Sequence, residues 1–324
     1  MALLDVVDAP GRAAAAGRQS SSRRARRADV RGSAGVFPQR VLPYALVLPQ
    51  LVVVGIFFLW PALRAFREAF VESNAFGIGE RFAGLQNFAS GVFVSSYAHA
   101  AEVTLVLAAI TTAGSMALGL LLAVQVERVA SGRSIYRTLF LLTYAIPGAV
   151  AGALWLFIFE PGIGPGARLL DALGAHWNAA LNPTQALLLV AAIGIWQQSG
   201  FCFLFFTAGL QAIPREYHEA GAMDGASPTR SFWSITMPLL SPVTFYLVVM
   251  NVVYAVFGLF GIIDIVTQGG PGFATTTLVY RLYVDAFQNA DTTVAGAESI
   301  VLLAVVAGFT ALQFRALRRR IHYR

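Results

Sequence analysis

The residues whose types and spacing are most informative lie in one polar stretch, residues 214–242, with the sequence PREYHEAGAMDGASPTRSFWSITMPLLSP. The chemistry this spacing suits is mechanical. Pro214 fits the first turn of a helix, where its missing N–H does no harm. Glu216 and Glu219 follow in the early turns, where the helix dipole favours acids. Gly225 is placed to end that helix in a left-handed cap. Ser227 and Pro228 suit the N-cap and first residue of a second short helix. Pro238 and Pro242 are expected to break the chain before the next apolar run. The first helix is expected to span about 11 residues, roughly 16 Å. Tyr217, Ala220, Gly221 and Asp224 recur at i, i+3, i+4 and i+7. Ala220 and Gly221 carry almost no side-chain bulk, so this strip lets another protein approach the backbone. A plain surface helix joining two spans has the same geometry, and spacing alone does not separate the two.

Other chemistry finds little support. All 23 basic residues are Arg and none is Lys. Without Lys there is no Walker A phosphate loop and no Schiff-base lysine. The single cysteine, Cys202, sits in an apolar run, which rules out an intrachain disulfide and a cysteine zinc cluster. His99, His176, His218 and His322 lack metal-ligand spacing, so no metal site is expected. No nucleophile–base constellation appears, and the chain reads as non-catalytic.

The elements that carry this stretch are membrane spans. The chain has 324 residues, 57% of them hydrophobic and only 12% charged, against a soluble average of roughly 25% charged. Long apolar runs cover approximately 41–63, 103–126, 138–159, 186–210, 243–266 and 295–314. Each holds about 20 residues or more, enough at 1.5 Å per residue to cross a hydrocarbon core of about 30 Å. Residues 1–40, rich in Ala, Gly, Ser and Arg, read as a disordered cytoplasmic segment. Its arginines serve either as a topology determinant or as contacts to anionic membrane lipid. With the N-terminus in the cytoplasm, segments 1–40, 127–137, 211–242 and 315–324 hold 18 arginines and the outer loops hold five. That is the positive-inside bias. It places both termini in the cytoplasm and makes six spans the expected number. It also explains a net charge of +6 without nucleic acid. The outer loops contain Asn74-Ala75-Phe76-Gly77, Gly84-Leu85-Gln86-Asn87-Phe88 and the turn signal Gln268-Gly269-Gly270-Pro271-Gly272. They are long enough to dock an extracytoplasmic partner, or are simple connectors.

The pattern Glu219-Ala220-Gly221, three residues, Gly225, nine residues, Ile235, one residue, Met237-Pro238 resembles the EAA signature of ATP-binding-cassette (ABC) importer permeases. Gly221 stands where the signature has its third small residue, and Met237 where it has Leu. The Asp224-Gly225-Ala226 continuation and the Gln268-Gly269-Gly270-Pro271 loop look like the carbohydrate, MalF-like group. The segments 42–51, 57–61, 205–215 and 251–255, with Asp264, look more narrowly like one permease subunit of sn-glycerol-3-phosphate importers. The resemblance covers most of residues 41–324 and implies an all-α integral membrane fold of six transmembrane helices. This is the type I, MetI-like permease fold with a cytoplasmic coupling helix, in the bacterial inner membrane. It implies that Glu219, Ala220, Gly221, Asp224 and Gly225 couple to an ATPase. It also implies three partners: a second related permease, a dimer of ATPase subunits that bind ATP and Mg, and an extracytoplasmic solute-binding protein.

Polar and aromatic groups inside the later spans are candidates for lining a solute path: Gln197, Gln198, Asn251, Tyr254 and Asp264. Helix–helix hydrogen bonding is the competing role for each. The implied solute is sn-glycerol-3-phosphate or a glycerophosphodiester such as glycerophosphocholine, whose cationic head suits an aromatic, acidic lining. A disaccharide or oligosaccharide is the alternative. An ion-coupled secondary transporter is a more distant one, and it calls for paired ionisable residues at mid-membrane. Glu102, Asp264 and Glu298 lie near span ends, and no buried ion pair is expected.

Overall fold

The computed structural model describes residues 41–73, 79–128 and 132–318. The Arg-rich segment 1–40, the Asn74-Ala75-Phe76-Gly77 loop, and Arg319, Arg320 and His322 lie outside the described residues. The chain divides into two units, one ending at Leu63 and one beginning at Arg64.

The first unit holds α1 (Val41–Val54), a π turn (Gly55–Leu59) and the start of α2 (Trp60–Glu68), whose residues from Arg64 on belong to the second. Leu46, Leu51, Phe57 and Phe58 are all exposed. A helix that is apolar all round is one that lipid solvates.

The second unit continues with a two-stranded antiparallel hairpin, β1 (Val71–Ser73) and β2 (Glu80–Phe82), in the register Val71↔Phe82. The short α3 (Gln86–Gly91) follows. Asn87 and Phe88, expected in a surface loop, are buried instead. The Asn87 side-chain amide donates to the carbonyls of Ala69 (3.0 Å) and Val71 (2.9 Å) and so caps the end of the preceding chain.

Next comes α4 (Ser95–Arg128). Its 34 residues span about 51 Å, well beyond the hydrocarbon core. Leu107, Thr111, Ser115, Gly119 and Ala123 are all buried and fall four residues apart. A stripe of small residues lets two membrane helices approach closely. Thr104 and Thr111 return their hydroxyls to carbonyls four residues back, which gives those two protons an acceptor inside the helix.

The third apolar run is not one straight span. α5 (Arg133–Ala145) and α6 (Gly148–Ile158) meet at 99°, with the break at Ile146-Pro147. Proline cannot donate to the ladder and pushes its predecessor to extended backbone; Ile146 has ψ 126°. α7 (Pro165–Ala172) leads to α8 (Pro183–Gln211), whose N-cap Asn182 accepts from the backbone of Thr184 and Gln185. α8 is the central helix: two thirds of its apolar window is buried. At Gly200 a Cβ would lie 2.5 Å from the Phe140 carbonyl, so only glycine lets α8 meet α5.

The chain continues through α9 (Arg215–Met223), α10 (Pro228–Ser231), a π turn (Phe232–Thr236) and α11 (Met237–Leu239). α12 (Ser241–Val253), a π turn (Tyr254–Gly258) and α13 (Phe260–Val266) form the next span. α14 (Leu278–Tyr283), with a π turn (Val284–Gln288), precedes the last span, α15 (Thr292–Arg318). Among the described residues five helices are long and apolar enough to cross a membrane, and the bent α5–α6 pair makes six.

Candidate functional site

The loop 214–240 is built from local signals. α9 begins after Pro214 and runs nine residues, not eleven, a length of about 14 Å. It ends in a complete Schellman motif. Gly225 has φ +75°, its N–H donates to the Ala222 carbonyl (3.0 Å), and the Ala226 N–H donates to the Gly221 carbonyl (2.9 Å). The Ser227 hydroxyl then caps α10 by accepting from the Arg230 N–H. Pro238 does not break the chain. It lies in the first turn of α11, inside a helical path that continues through Leu240 into α12. The loop is therefore joined stiffly to the fifth span.

Its faces differ from expectation at one residue. Tyr217, Glu219, Ala220 and Asp224 are exposed, but Gly221 is buried. A Cβ at Gly221 would meet Ile235 Cδ1 at 2.6 Å. Gly221 therefore seats α9 on the π turn that follows α10, rather than extending the outer strip. His218 Nδ1 and Ser231 Oγ, 3.3 Å apart, add a second tie.

Within the spans, three of the five path candidates bind one another or neighbouring helices. The Gln197 amide donates to the Ile146 carbonyl at the break in the third span. Its Oε1 accepts from the Tyr254 hydroxyl at 2.7 Å. One side chain of α8 thus fastens the α5–α6 bend to the π turn of the fifth span. Asn251 is only 1% exposed. Its Oδ1 accepts from Ser115 (2.7 Å), and its amide donates to the Leu247 carbonyl (2.8 Å) and faces Cys202 Sγ (3.2 Å). It ties α4, α8 and α12 together. Gln198 is buried, and its Oε1 has no hydrogen-bond partner among the described residues. Asp264, half-buried near the end of α13, lies beside Tyr280. Burial first, and the Asp264 charge second, push the Tyr280 phenol above its ordinary value.

A buried ion pair is present where none was expected. Arg281 Nε donates to Glu298 Oε1 at 2.7 Å, and Asp285 lies 3.6 Å away. Glu298 is 1% exposed. The guanidinium also stands 5.8 Å from the centre of the Tyr97 ring. Glu298 falls in the second turn of α15, near one end of that span rather than at its middle. Nothing local in the sequence marks this pair, because its partners come from two separate helices. Ser115 and Thr104 were also missed. The four-residue spacing of hydroxyl and small residues along α4 was the signal that could have found them.

Comparison with known proteins fits this geometry. Residues 115–323 match the family described as binding-protein-dependent transport system inner membrane component. A protein of Rhizobium meliloti, the sn-glycerol-3-phosphate transport system permease protein UgpA, is 46% identical over 288 residues, 89% of this chain and 98% of that one. Its counterpart in Yersinia enterocolitica is 43% identical over 282 residues, covering 87% and 96%. Among solved structures, a bacterial ABC transporter involved in the import of the acidic polysaccharide alginate superposes with a TM-score of 0.76. It is 21% identical and covers 87% of this chain and 96% of that one, which speaks to the fold alone. A stiffly mounted polar loop, six apolar helical segments and a match over most of the length together place the chain in one family: it is an inner-membrane permease component of a binding-protein-dependent transport system.

Proposed function

We propose that this chain is one permease subunit of an ABC importer for sn-glycerol-3-phosphate or its glycerophosphodiesters. The observation that carries the reading is the 46% identity, over 98% of its length, to a permease named for that solute. A second related permease completes the pore, two ATPase subunits bind ATP and Mg below it, and a solute-binding protein delivers from outside. Both termini lie in the cytoplasm, as the arginine bias suggests. The chain itself carries no catalytic step and no cofactor.

In this reading α9 is the coupling helix. Glu219, Ala220 and Asp224 face the ATPase, Gly225 ends the helix sharply, and Gly221 holds it against Ile235. ATP-driven closure of the ATPase dimer moves α9, and the near-continuous α10–α12 path carries that motion into the fifth span as rigid-body rocking. Gln197 and Tyr254 stand where the third, fourth and fifth spans meet, and with Gln198 and Asp264 are the path residues we retain. Asn251 acts through packing.

Charge favours the diester over the monoester. Arg281 is already occupied by Glu298 and Asp285, and Asp264 adds a negative charge near the outer end of α13. A cationic head group suits that balance. Oligosaccharide import remains the alternative within the same machine. The ion-coupled alternative is set aside, because the family works with a binding protein.

The test is reconstitution of all four kinds of subunit in liposomes. ATP- and binding-protein-dependent uptake of glycerophosphocholine or glycerol-3-phosphate is expected. Uptake driven by an ion gradient without ATP would overturn the reading, and uptake of sugars alone would replace the solute.

A further inference from the structure

We propose that Glu127 is a positioning residue for coupling: it anchors the upstream end of the loop that carries α9 to the second and third spans. This deepens the reading of α9 as the coupling helix and rests on it.

The loop leaves the spans at two points. Downstream, the α10–α12 path joins it to the fifth span. Upstream, α8 ends at Gln211, and only Ala212 and Ile213 separate that residue from Pro214. Ile213 packs against the core cluster that contains Ala123 and Val126 of α4. The Gln211 amide donates to Glu127 Oε1 of α4 at 2.8 Å. The same oxygen accepts from Arg137 Nη2 of α5 at 3.0 Å. Glu127 Oε2 lies 3.6 Å from Arg133 Nη1, and Arg133 Nη2 donates to the Glu127 carbonyl at 2.6 Å. One carboxylate therefore gathers α4, α5 and α8 at the point where the loop begins.

The residue types break a local rule. Glu127 stands in the last turn of α4 and Arg133 opens α5. A helix dipole disfavours an acid at its C-terminus and a base at its N-terminus. Each charge is misplaced on its own helix, and pairing across the helices offsets this. Departures of this kind collect at functional positions.

The cluster contributes little to stability. The side chains of Glu127, Arg133 and Arg137 are 25%, 45% and 36% exposed, and water screens pairs so open. What remains is geometry, because hydrogen bonds to a charged carboxylate are short and directional. A tie that adds little to the fold, yet joins three helices at the entry to α9, serves transmission. With it, a movement of α9 reaches the fifth span from one end of the loop and α4, α5 and α8 from the other. Without it, the upstream end swivels at Ala212-Ile213, and ATP is hydrolysed with less movement of the spans.

The test measures uptake of sn-glycerol-3-phosphate and of glycerophosphocholine together with ATP hydrolysis, in liposomes holding the complete importer. Glu127→Ala and Gln211→Ala are each expected to lower the solute imported per ATP roughly fivefold. ATP hydrolysis and the melting temperature of the assembled importer should stay as in wild type. The double variant should be no worse than the poorer single, because both remove the same tie. Glu127→Gln, which keeps an acceptor for Gln211, should lose less than Glu127→Ala. Glu102→Ala, at the other end of α4 and 76% exposed, should keep the wild-type ratio. A wild-type ratio in both alanine singles would overturn the proposal. So would losses that add in the double variant, or a joint fall of uptake, ATP hydrolysis and melting temperature, which would make the cluster structural only. A wild-type importer that takes up neither solute with ATP would remove the importer reading itself, and that result is seen before any variant is made.

Discussion

The loop 214–240 and the hairpin 267–291 are both connectors between spans, yet they are held by different means. The loop folds on itself. Its Schellman bonds, its Ser227 cap and the seat of Gly221 on Ile235 all join residues fewer than fifteen apart. The hairpin has local bonds among Thr267, Gly269, Gly270, Thr275 and Thr276, and it is also tied to the bundle. Leu278 is tied to Thr104 of α4, Arg281 to Glu298 of α15, and the Arg281 guanidinium stands over Tyr97. The loop leaves Tyr217, Glu219, Ala220 and Asp224 uncovered, while the hairpin buries Thr275, Thr277, Leu278 and Tyr280. In the coupling role proposed for it, the loop has to keep its shape without using its exposed face. A segment that closes the end of a bundle can draw its shape from the spans.

Substitutions test that contrast by where they cost stability. The largest loss is expected at the hairpin. Arg281→Ala strands Glu298, which is 1% exposed, and should cost about 3 to 5 kcal/mol. Thermal unfolding in detergent reads this, and Arg281→Met with Glu298→Leu should recover most of it. Thr104→Val leaves the buried Leu278 N–H without its acceptor and should cost about 1 to 3 kcal/mol. In the loop the losses should be smaller. Gly221→Ala drives a methyl into Ile235 Cδ1 and should cost about 1 to 2 kcal/mol, relieved by Ile235→Val, which lacks that atom. Gly225→Ala places a side chain at φ +75° and should cost about 1 kcal/mol. If Gly225→Ala lowers the melting point more than Arg281→Ala does, the contrast is wrong.

The same contrast explains what could be read from the chain. Pro214, Gly225 and Ser227-Pro228 specify a cap, a stop and a restart by rules acting within a few residues, so the 214–240 loop was legible. Its length and one face were not. α9 stops two residues short, and Gly221 turns inward because Ile235 of the following π turn meets it, a contact that periodicity on one helix does not contain. The apolar runs marked six segments. The 99° bend at Ile146-Pro147 was hidden, because proline in a span is tolerated straight or bent according to what receives the freed carbonyl. Here Gln197, 51 positions away, receives it. Asn251 and Tyr254 looked alike as polar residues of one span. Only packing shows that the first is enclosed by Ser115, Cys202 and Leu247 while the second reaches Gln197.

The proposed function turns on whether α9 is seated in a separate ATPase, and a single cross-link examines this most directly. Cys202 is buried, so Ala220→Cys supplies the reactive thiol of the loop, and Phe273→Cys supplies a matched thiol on the hairpin. In membranes that retain ATP-driven uptake, a short thiol cross-linker should join Ala220→Cys to the ATPase subunit and never join Phe273→Cys to it. Intact uptake with no ATPase captured from Ala220→Cys would contradict the coupling role.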